Sequence, residues 1–468
     1  EVGEVRAAVD EQALSERPAP RRSRPRRCAE ALVRLPGLRH DVPMARFLVT
    51  AMPFTGHVLP LRAVAQALVA RGHDVRFYTG SAFREGIEAC GAVHVPWREA
   101  PDFDENDLRA TFPRLEGRKG LRQVFANLED VMIDTAPAQV ADLQAEWDRE
   151  PWDAIATDDT SIGVALFADR SGCPRATIVV LPLHLSSGQG PPSGMGLTPG
   201  RNPITKTRDA ALRGIAPLAM RPLTKPIVRA RVAVGLPATP LTFEQTALSD
   251  RRILASGSPL LDFGRTDRPA HLDFVGLLAA PPTVPGDLPG WWGDLEGRTV
   301  VHVTQGTQNI DPTDLIRPAL DALAARDVLV VVSTGVRGRD ELPFPVPANA
   351  RIAGYLPYDA LLPRTAVVIT NGGWGGTLTA LSHGIPLVIA GGDLDKPEIA
   401  ARVAWAGAGI NLRTGTPTSA QVAAGFERAS TDTAMRDAAT RVAAELRSLG
   451  GAPRAAELLE GFAARSGR

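Results

Sequence analysis

Several features are scarce in this chain, and each scarcity argues against a class of protein. The three cysteines, Cys28, Cys90 and Cys173, are far apart and form no CxxC pattern, which argues against a disulfide scaffold or a cysteine metal site. No apolar run reaches the length of a bilayer, so the sequence predicts no integral membrane segment. Lys plus Arg and Asp plus Glu each number 52, and this balance offers no basic surface for nucleic acid. We therefore expect a cytoplasmic protein that does not bind nucleic acid.

The composition is otherwise that of a globular protein, with 44% apolar and 22% charged residues. A length of 468 residues favours two or three domains. Residues 1–43 include a basic run at 18–27 and lack the apolar core of a signal peptide. We predict a disordered extension there, or an upstream start-site artefact, with a basic interaction arm as the alternative.

The rest of the chain alternates between short apolar runs and helical periodicity, which predicts an α/β fold with parallel sheets flanked by helices. Residues 46–51, 60–71 and 75–78 form a first strand–helix–strand unit, with a Gly-containing loop at 52–57 between strand and helix. The poorly patterned segment 183–240 favours a loop with short helices, either as part of an acceptor pocket or as a surface excursion.

The predicted domains follow from these patterns. They are a Rossmann-like domain at 44–280, a Pro- and Gly-rich linker at 281–296, a second Rossmann-like domain at 297–450, and a C-terminal helix at 451–468 that can pack back on the first domain.

A burst of glycines follows one predicted strand of the second domain. The apolar run 367–369 leads into Asn371-Gly372-Gly373-Trp374-Gly375-Gly376-Thr377, and a helix is predicted from about Trp374 to His383. Glycines at such a turn let backbone N–H groups approach a ligand, and a helix N-terminus favours negative charge. The neighbouring strand, 386–390, is followed by Asp395 and Lys396. Because ligands bind at the carboxyl ends of parallel strands, these loops predict a phosphate or diphosphate site.

A family resemblance rests on these motifs taken together. The second domain carries Gly354-Tyr355-Leu356-Pro357, the glycine run, Gly384-Ile385-Pro386, Asp395-Lys396 and Gly407-Ala408-Gly409. They resemble the donor-binding signature of nucleotide-sugar-dependent glycosyltransferases with the two-domain GT-B fold, in particular UDP-glycosyltransferases and bacterial macrolide and natural-product enzymes. The loop at 54–60 is similar to that family's first loop, and 304–307 to its phosphate-contacting loop. The resemblance implies two Rossmann-like domains facing a cleft.

The resemblance also implies residue roles. His57 corresponds to the general base that takes a proton from the acceptor hydroxyl, and Asp158 to the carboxylate that orients this base, with Asp159 as the neighbouring fallback. The implied donor-binding residues are Thr307, Tyr355, Asn371, Gly372, Gly373, Trp374, Gly375, Gly376, Thr377, Asp395 and Lys396. No metal and no cofactor are implied beyond the donor, a UDP- or dTDP-sugar. The partners are that donor and a small-molecule acceptor.

Three positions depart from the family pattern. Asn371 stands where the family usually has a histidine that reaches the diphosphate, and an amide supplies no positive charge. Lys396 replaces the usual Gln, and we interpret it as supplying part of that missing charge. Thr379 stands where a Glu often holds the ribose.

The expected reaction is metal-independent transfer of the sugar, with inversion, to an apolar acceptor such as a polyketide, macrolide or phenolic natural product.

Other interpretations of the sequence stay open. The departures fit a catalytically silent nucleotide-sugar-binding homologue or auxiliary subunit, and a related fold can epimerise or hydrolyse nucleotide sugars. The pairs Asp102/Asp104 and Asp393/Asp395 can hold a divalent metal in a different transferase fold. Nicotinamide binding is disfavoured because the 52–57 turn lacks GxGxxG.

Overall fold

The computed structural model describes residues 44–118, 120–281, 288–306, 311–336 and 338–466, and every statement below concerns those residues. The predicted extension at 1–43 lies outside them, as do Lys119 and Thr307. The domain boundaries given above stay predictions.

Two parallel sheets organise the described chain. The strands of the first sheet are β1 (Arg46–Thr50), β2 (Asp74–Thr79), β3 (Val93–Pro96), β4 (Ala154–Asp158), β5 (Arg175–Val179), β6 (Ile253–Ser256) and β7 (Leu272–Gly276). Those of the second are β8 (Val300–Thr304), β9 (Leu329–Ser333), β10 (Ala350–Ala353), β11 (Thr365–Thr370), β12 (Leu387–Ile389) and β13 (Gly409–Asn411). The spatial orders are β3-β2-β1-β4-β5-β6-β7 and β10-β9-β8-β11-β12-β13.

Helices connect the strands and cover the sheets, because parallel neighbours need crossover connections. They are α1 (Thr55–Ala70), α2 (Arg84–Ala89), α3 (Leu108–Thr111), α4 (Leu121–Ala126), α5 (Ala136–Arg149), α6 (Ile162–Ser171), α7 (Pro203–Met220), α8 (Thr224–Ala233), α9 (Phe243–Ala247), α10 (Ile316–Leu323), α11 (Tyr358–Leu361), α12 (Trp374–Ser382), α13 (Lys396–Trp405), α14 (Ser419–Thr431), α15 (Thr433–Ser448) and α16 (Gly451–Ser466). A π-helical turn, Asn127–Ile133, follows α4. Two parallel α/β sheets were predicted, and this architecture is confirmed.

Each sheet reverses its winding direction at one place. In the first sheet β1 and β4 are neighbours, and in the second β8 and β11 are neighbours. Chains that leave such a strand pair go to opposite faces of the sheet, which opens a crevice at the carboxyl ends of the two strands. Ligands of open α/β sheets bind in such crevices, so the loops after these four strands define where a site belongs.

The last helix returns to the first sheet. Helix α16 packs against α1 and contributes Ala455, Ala456 and Leu459 to the apolar cluster on that side of the sheet. Its Glu460 carboxylate accepts a hydrogen bond from His73 Nε2 at 2.7 Å and is bound by the Arg71 guanidinium at 2.5 Å. Burial of these small apolar side chains and the two polar contacts together hold α16 in place.

Two local predictions were wrong in part. Helix α1 begins at Thr55, so the predicted loop at 52–57 is shorter and His57 lies in the first helical turn. The segment 183–240 contains the long helix α7, which a capping box between Asn202 and Thr205 begins. Helical periodicity was invisible there because Asp209 is the one buried residue of α7 among those described, so no apolar face marks the helix.

Candidate functional site

His57 and Asp158 meet in the crevice of the first sheet. His57 is the third residue of α1, directly after β1, and Asp158 ends the neighbouring strand β4. His57 Nδ1 lies 2.7 Å from Asp158 Oδ2, and both side chains are buried. Parallel pairing of β1 with β4 brings the two residues together, because it aligns the carboxyl ends of the strands.

The Asp158 carboxylate is saturated with hydrogen bonds. Oδ2 accepts from Thr160 Oγ1 at 2.9 Å and from the Met52 backbone N–H at 3.2 Å, and Oδ1 accepts from the Ser161 N–H at 3.0 Å and from its hydroxyl. Burial raises the pKa of Asp158, but the hydrogen bonds and the charge of His57 outweigh it and leave that pKa below its usual value. Asp158 is therefore an ionised acceptor that fixes the ring of His57.

This contact defines the tautomer of His57. An ionised carboxylate can only accept, so Nδ1 carries the proton and Nε2 presents its lone pair. Among the described residues none hydrogen-bonds to Nε2. Burial lowers the pKa of His57, but the hydrogen bond and charge of Asp158 outweigh it, so the pKa is raised. The side chain is thereby arranged as a proton acceptor.

A second imidazole and carboxylate lie beside this pair. His184 Nδ1 is 3.4 Å from Asp159 Oδ2, and the Asp159 Oδ1 accepts from the Val180 N–H at 3.2 Å. Burial raises the pKa of Asp159, and the charges of His184 and His57 oppose that rise. Asp159 thus faces His184, whereas Asp158 holds His57, and no hydrogen bond among the described residues supports the fallback role for Asp159.

The crevice of the second sheet holds Asn371. Asn371 follows β11, and its Nδ2 donates to the backbone oxygen of Gln305, which follows β8. Asn371 Oδ1 and the Thr377 Oγ1, on the first turn of α12, are buried and have no hydrogen-bond partner among the described residues. Buried polar atoms without partners are costly, so these two atoms are candidates for contact with a ligand.

The glycine run opens this crevice to close approach. Gly372 has a φ of +92°, and a Cβ there would lie 2.7 Å from Ile389 Cγ2. Gly375 and Gly376 are exposed, and a Cβ added to either would have no atom of the described chain beyond its own helix within 4 Å. Trp374 differs from its neighbours, because its indole Nε1 donates to Ser256 Oγ at 3.0 Å at the end of β6. The backbone of Trp374 belongs to the run, while its side chain joins the two halves of the described chain.

Asp395 and Lys396 follow the neighbouring strand, β12. Asp395 is the residue before helix α13, and Lys396 is its first residue. Lys396 Nζ donates to Asp393 Oδ1 at 2.6 Å, so its charge is already paired at close range. Burial raises the pKa of Asp395, with the charges of Lys396 and His57 opposing the rise. Asp395 and His57 therefore lie close enough for the charge of each to act on the other. Helix α1, which carries His57, also contacts α12, the helix that begins within the glycine run.

Three other named residues have different placements. Thr307 lies outside the described residues. Tyr355 follows β10, an edge strand of the second sheet, and is 63% exposed. The Thr379 hydroxyl donates to the backbone oxygen of Gly375 at 2.8 Å, within its own helix.

One aspartate of each pair suggested as metal ligands is engaged with protein groups. Asp102 accepts from the Ser81 N–H at 2.9 Å, and Asp393 is bound by Lys396 as described above. Among the described residues, no group of three or more His, Cys, Asp or Glu side chains is placed to hold a metal ion. In the same part of the chain, no helix combines the length and the apolar character needed to cross a bilayer.

Comparison with known proteins places this chain in a family. The profile of the erythromycin biosynthesis protein CIII-like C-terminal domain matches residues 317–461. The 4'-demethylrebeccamycin synthase of Lentzea aerocolonigenes is 41% identical over 372 residues, which cover 79% of this chain and 88% of that protein. The chain belongs to the natural-product glycosyltransferases. This glycosyltransferase is also 34% identical to UDP-glucosyltransferase B1 of Starmerella bombicola, over 79% of its own length and 87% of the relative.

Solved structures show the same fold for this glycosyltransferase. The calicheamicin glycosyltransferase CalG4 superimposes with a TM-score of 0.68 at 20% identity, covering 90% of this chain and 99% of that one. The Streptomyces sp. SF2575 glycosyltransferase SsfS6, complexed with thymidine diphosphate, gives 0.61 at 21% identity and covers 89% and 99%. The predicted GT-B architecture and the predicted glycosyltransferase class are confirmed.

Some site residues escaped the sequence analysis. Thr160 and Ser161 complete the cage around Asp158, and the polar run at 158–161 was a signal for it. Gln305 lies in a motif loop, but nothing in the sequence indicates that its backbone oxygen binds Asn371. His184 lies in the poorly patterned segment, where no local pattern marks it as a neighbour of Asp159.

Proposed function

We propose that this glycosyltransferase moves a sugar, with inversion and without a metal ion, from a UDP- or dTDP-sugar to a small apolar acceptor. The observation that carries the proposal is the position of His57. It is oriented by Asp158 in one crevice, its helix α1 contacts α12 beside the other crevice, and the charge of Asp395 helps to raise its pKa. A proton acceptor from the first sheet and a donor-side carboxyl from the second thus face one space.

The proposed reaction is a single displacement. His57 Nε2 takes the proton of an acceptor hydroxyl as its oxygen forms a bond to the anomeric carbon. The bond from that carbon to the diphosphate oxygen breaks on the opposite side, and the nucleoside diphosphate leaves with the electron pair. Asp158 stabilises the imidazolium that forms, since it is ionised and hydrogen-bonded to Nδ1. One displacement at carbon inverts its configuration.

Groups at the second sheet are proposed to neutralise the charge that develops on the leaving diphosphate. The first turn of α12 carries backbone N–H groups without a partner in a preceding turn, and a helix N-terminus favours an anion. The unpartnered Thr377 hydroxyl can donate to a phosphate oxygen. The amides and this hydroxyl carry the role, because the Lys396 ammonium is already paired with Asp393. These groups are proposed to neutralise the diphosphate, the role that a metal plays in other transferases.

An apolar acceptor fits the surroundings of His57. The Phe54 ring lies 5.7 Å from the His57 ring and 5.2 Å from the Phe103 ring, centroid to centroid. The partly buried Phe125 and Met132 pack on the same apolar cluster. Relatives are named for rebeccamycin, calicheamicin and spinosyn, which supports a natural-product acceptor, such as a polyketide, macrolide or phenol.

The proposal is tested by supplying UDP- and dTDP-sugars with a panel of phenolic and polyketide acceptors in the presence of EDTA. The expected product is a glycoside with the anomeric configuration opposite to that of the donor, read by NMR coupling constants. Retention of configuration would overturn the proposed inversion. Activity that EDTA abolishes and a divalent metal restores would overturn the proposed metal independence. Binding of nucleotide without turnover would favour the silent homologue, and free sugar or an epimer would favour the related enzymes.

A further inference from the structure

Helix α13 contacts a long segment of the N-terminal half of the chain. This segment, residues 183–201, follows β5 and includes His184, the neighbour of Asp159. It is irregular, yet its two ends and its middle all rest on α13. Helix α13 begins at Lys396, immediately after Asp395. One helix therefore has the donor-side carboxyl at its start and the 183–201 segment along its side.

Arg402 makes the inner contact between them. Its Nη2 donates to the Leu183 backbone oxygen at 2.8 Å, its Nη1 to Asp262 Oδ1 at 3.0 Å, and its Nε to Glu398 Oε1 at 3.0 Å. Arg402 is 2% exposed. Its Nη1 also donates to the Leu261 backbone oxygen at 3.3 Å, and a planar guanidinium that binds four oxygens at once holds them in fixed relative positions, which an ammonium cannot do.

Glu398 makes the middle contact. Its Oε2 accepts from the Gly196 N–H at 3.0 Å, while its Oε1 binds Arg402. Gly196 has a φ of +64°, and a Cβ there would lie 2.8 Å from Pro397 Cβ, so the segment lies directly on the first turn of α13. At the outer end the Arg201 guanidinium lies 4.8 Å from the centre of the Trp405 ring.

We propose that Glu398 and Arg402 are positioning residues that tie the 183–201 segment to α13. They fix the position of the acceptor side, beside His184, relative to the donor side, at Asp395. The inference rests on the proposed function, because it assigns the two sides to donor and acceptor. Neither residue touches the reacting atoms. Their effect is on the distance and angle between the two substrates, on which the rate of a displacement depends steeply.

Stability alone gives a weak reason for these groups. A buried ion pair recovers little more than the cost of removing its charges from water, and apolar residues of similar volume often serve as well. What the charged groups supply here is a defined geometry, because each hydrogen bond has one length and one direction. The Arg402–Asp262 ion pair joins two elements distant in sequence, where geometry is hardest to define by apolar packing.

Hydrogen exchange tests the coupling on the whole chain, with UDP and dTDP as probes and Arg402→Lys as the variant. Arg231→Lys is the matched control, since Arg231 is also buried and binds a carboxylate, Asp169, at 2.9 Å, but within the N-terminal half. In the wild type and the control, nucleotide should slow amide exchange both at 371–377 and at 184–200. In Arg402→Lys the slowing should persist at 371–377 and be lost at 184–200.

Slowing at 184–200 that survives in Arg402→Lys would overturn the proposal. Absence of slowing at 371–377 in the wild type would instead count against the proposed donor site. In that case exchange at 184–200 without nucleotide still tests the tie, since it should be faster in Arg402→Lys than in Arg231→Lys, and equal rates would reject it. If Arg402→Lys does not fold, Glu398→Ala replaces it, because it removes the acceptor of the Gly196 N–H, which is the middle contact of the tie.

Steady-state kinetics supply a readout that a merely structural role would not move. With a donor and acceptor that the wild type uses, Arg402→Lys should raise the acceptor KM about tenfold and leave the donor KM within about twofold. A loss of activity with both KM values unchanged, in proportion to lost folded protein, would show a structural role only and overturn the proposal.

Discussion

His57 Nδ1 lies 2.7 Å from Asp158 Oδ2, although 101 residues separate the two in the chain. A contact of the same length exists elsewhere beside the first sheet, where His73 Nε2 lies 2.7 Å from Glu460 Oε1 on α16. Both imidazoles are buried against a carboxylate. They differ in position, since His57 lies at the crevice of the first sheet and His73 lies between α1 and α16. Variants at the two histidines can therefore distinguish a catalytic from a structural role.

Replacing His57 by Gln should lower kcat/KM for transfer by about 10²–10⁴, because the proton acceptor is lost. Affinity for UDP or dTDP, measured by calorimetry, should be unchanged, since the donor groups lie on the second sheet. His73→Gln is the control, and it should lower the melting temperature while kcat of the folded fraction stays at the wild-type value. Wild-type transfer by His57→Gln to a hydroxyl acceptor would contradict the assigned base.

The pH profile follows from the pKa of His57. The base works when neutral, so activity rises as pH increases through its pKa. Asp158 raises that pKa above the ordinary histidine value. The midpoint of the acid limb of kcat/KM should therefore lie at a pH above that ordinary value. Asp158→Asn removes the largest of the influences that raise the pKa and keeps burial, which lowers it, so the limb should move to lower pH. The maximal rate should fall by about 10²–10⁴ in that variant.

A profile of kcat/KM from acid to neutral pH for both proteins checks this prediction. A limb that does not move, or that moves to higher pH in Asp158→Asn, would show that another group titrates.

Thr377→Val should weaken nucleotide binding without destabilising the fold. Its hydroxyl is buried without a partner among the described residues, so losing it costs the protein no hydrogen bond. We expect affinity for UDP or dTDP to fall about tenfold, equivalent to about 1.4 kcal/mol. Thr157→Val is the matched control, since the Thr157 hydroxyl accepts from Thr50 Oγ1 at 2.8 Å in the core.

The control should lose about 1–3 kcal/mol of unfolding free energy, measured by denaturant titration, because it leaves the Thr50 hydroxyl unpaired. Destabilisation of Thr377→Val by the same amount would mean that its hydroxyl is already satisfied.

Glu460→Gln should lower the free energy of unfolding by about 1–3 kcal/mol at neutral pH, since it weakens the contacts with Arg71 and His73. Burial raises the pKa of Glu460, but the hydrogen bonds from Arg71 and His73 outweigh it and depress that pKa. A depressed carboxyl pKa contributes stability above the unfolded-state pKa, and this contribution is lost as pH falls through the folded-state value. The difference between wild type and variant should therefore shrink in acid.

Thermal unfolding at several pH values measures this difference. Glu457→Gln is the control, because Glu457 forms an exposed ion pair with Arg454 in the same helix, and its loss should be nearly neutral. If the difference in stability between wild type and Glu460→Gln grew in acid, the pKa of Glu460 would not be depressed in the folded protein.

The site could be predicted where it depends on short motifs. Strand ends carry the motifs, and the parallel order of strands brings strand ends together, so Asn371, Asp395 and the glycine run were predicted as neighbours. The resemblance supplied His57 and Asp158. The interpretation of Lys396 as a source of missing charge did not anticipate its contact with Asp393, which local sequence does not reveal.

The sequence by itself determined the alternation of buried strands and helices and the places where glycine permits tight turns. These depend on side-chain periodicity and on backbone angles, which are local properties of a few successive residues. Only the tertiary structure decided that the Trp374 indole binds Ser256 and that Arg402 joins Leu183 to α13. Such contacts depend on how two separately built sheets are positioned against each other. That arrangement is the outcome of many weak packing terms, and no single segment of the chain encodes it.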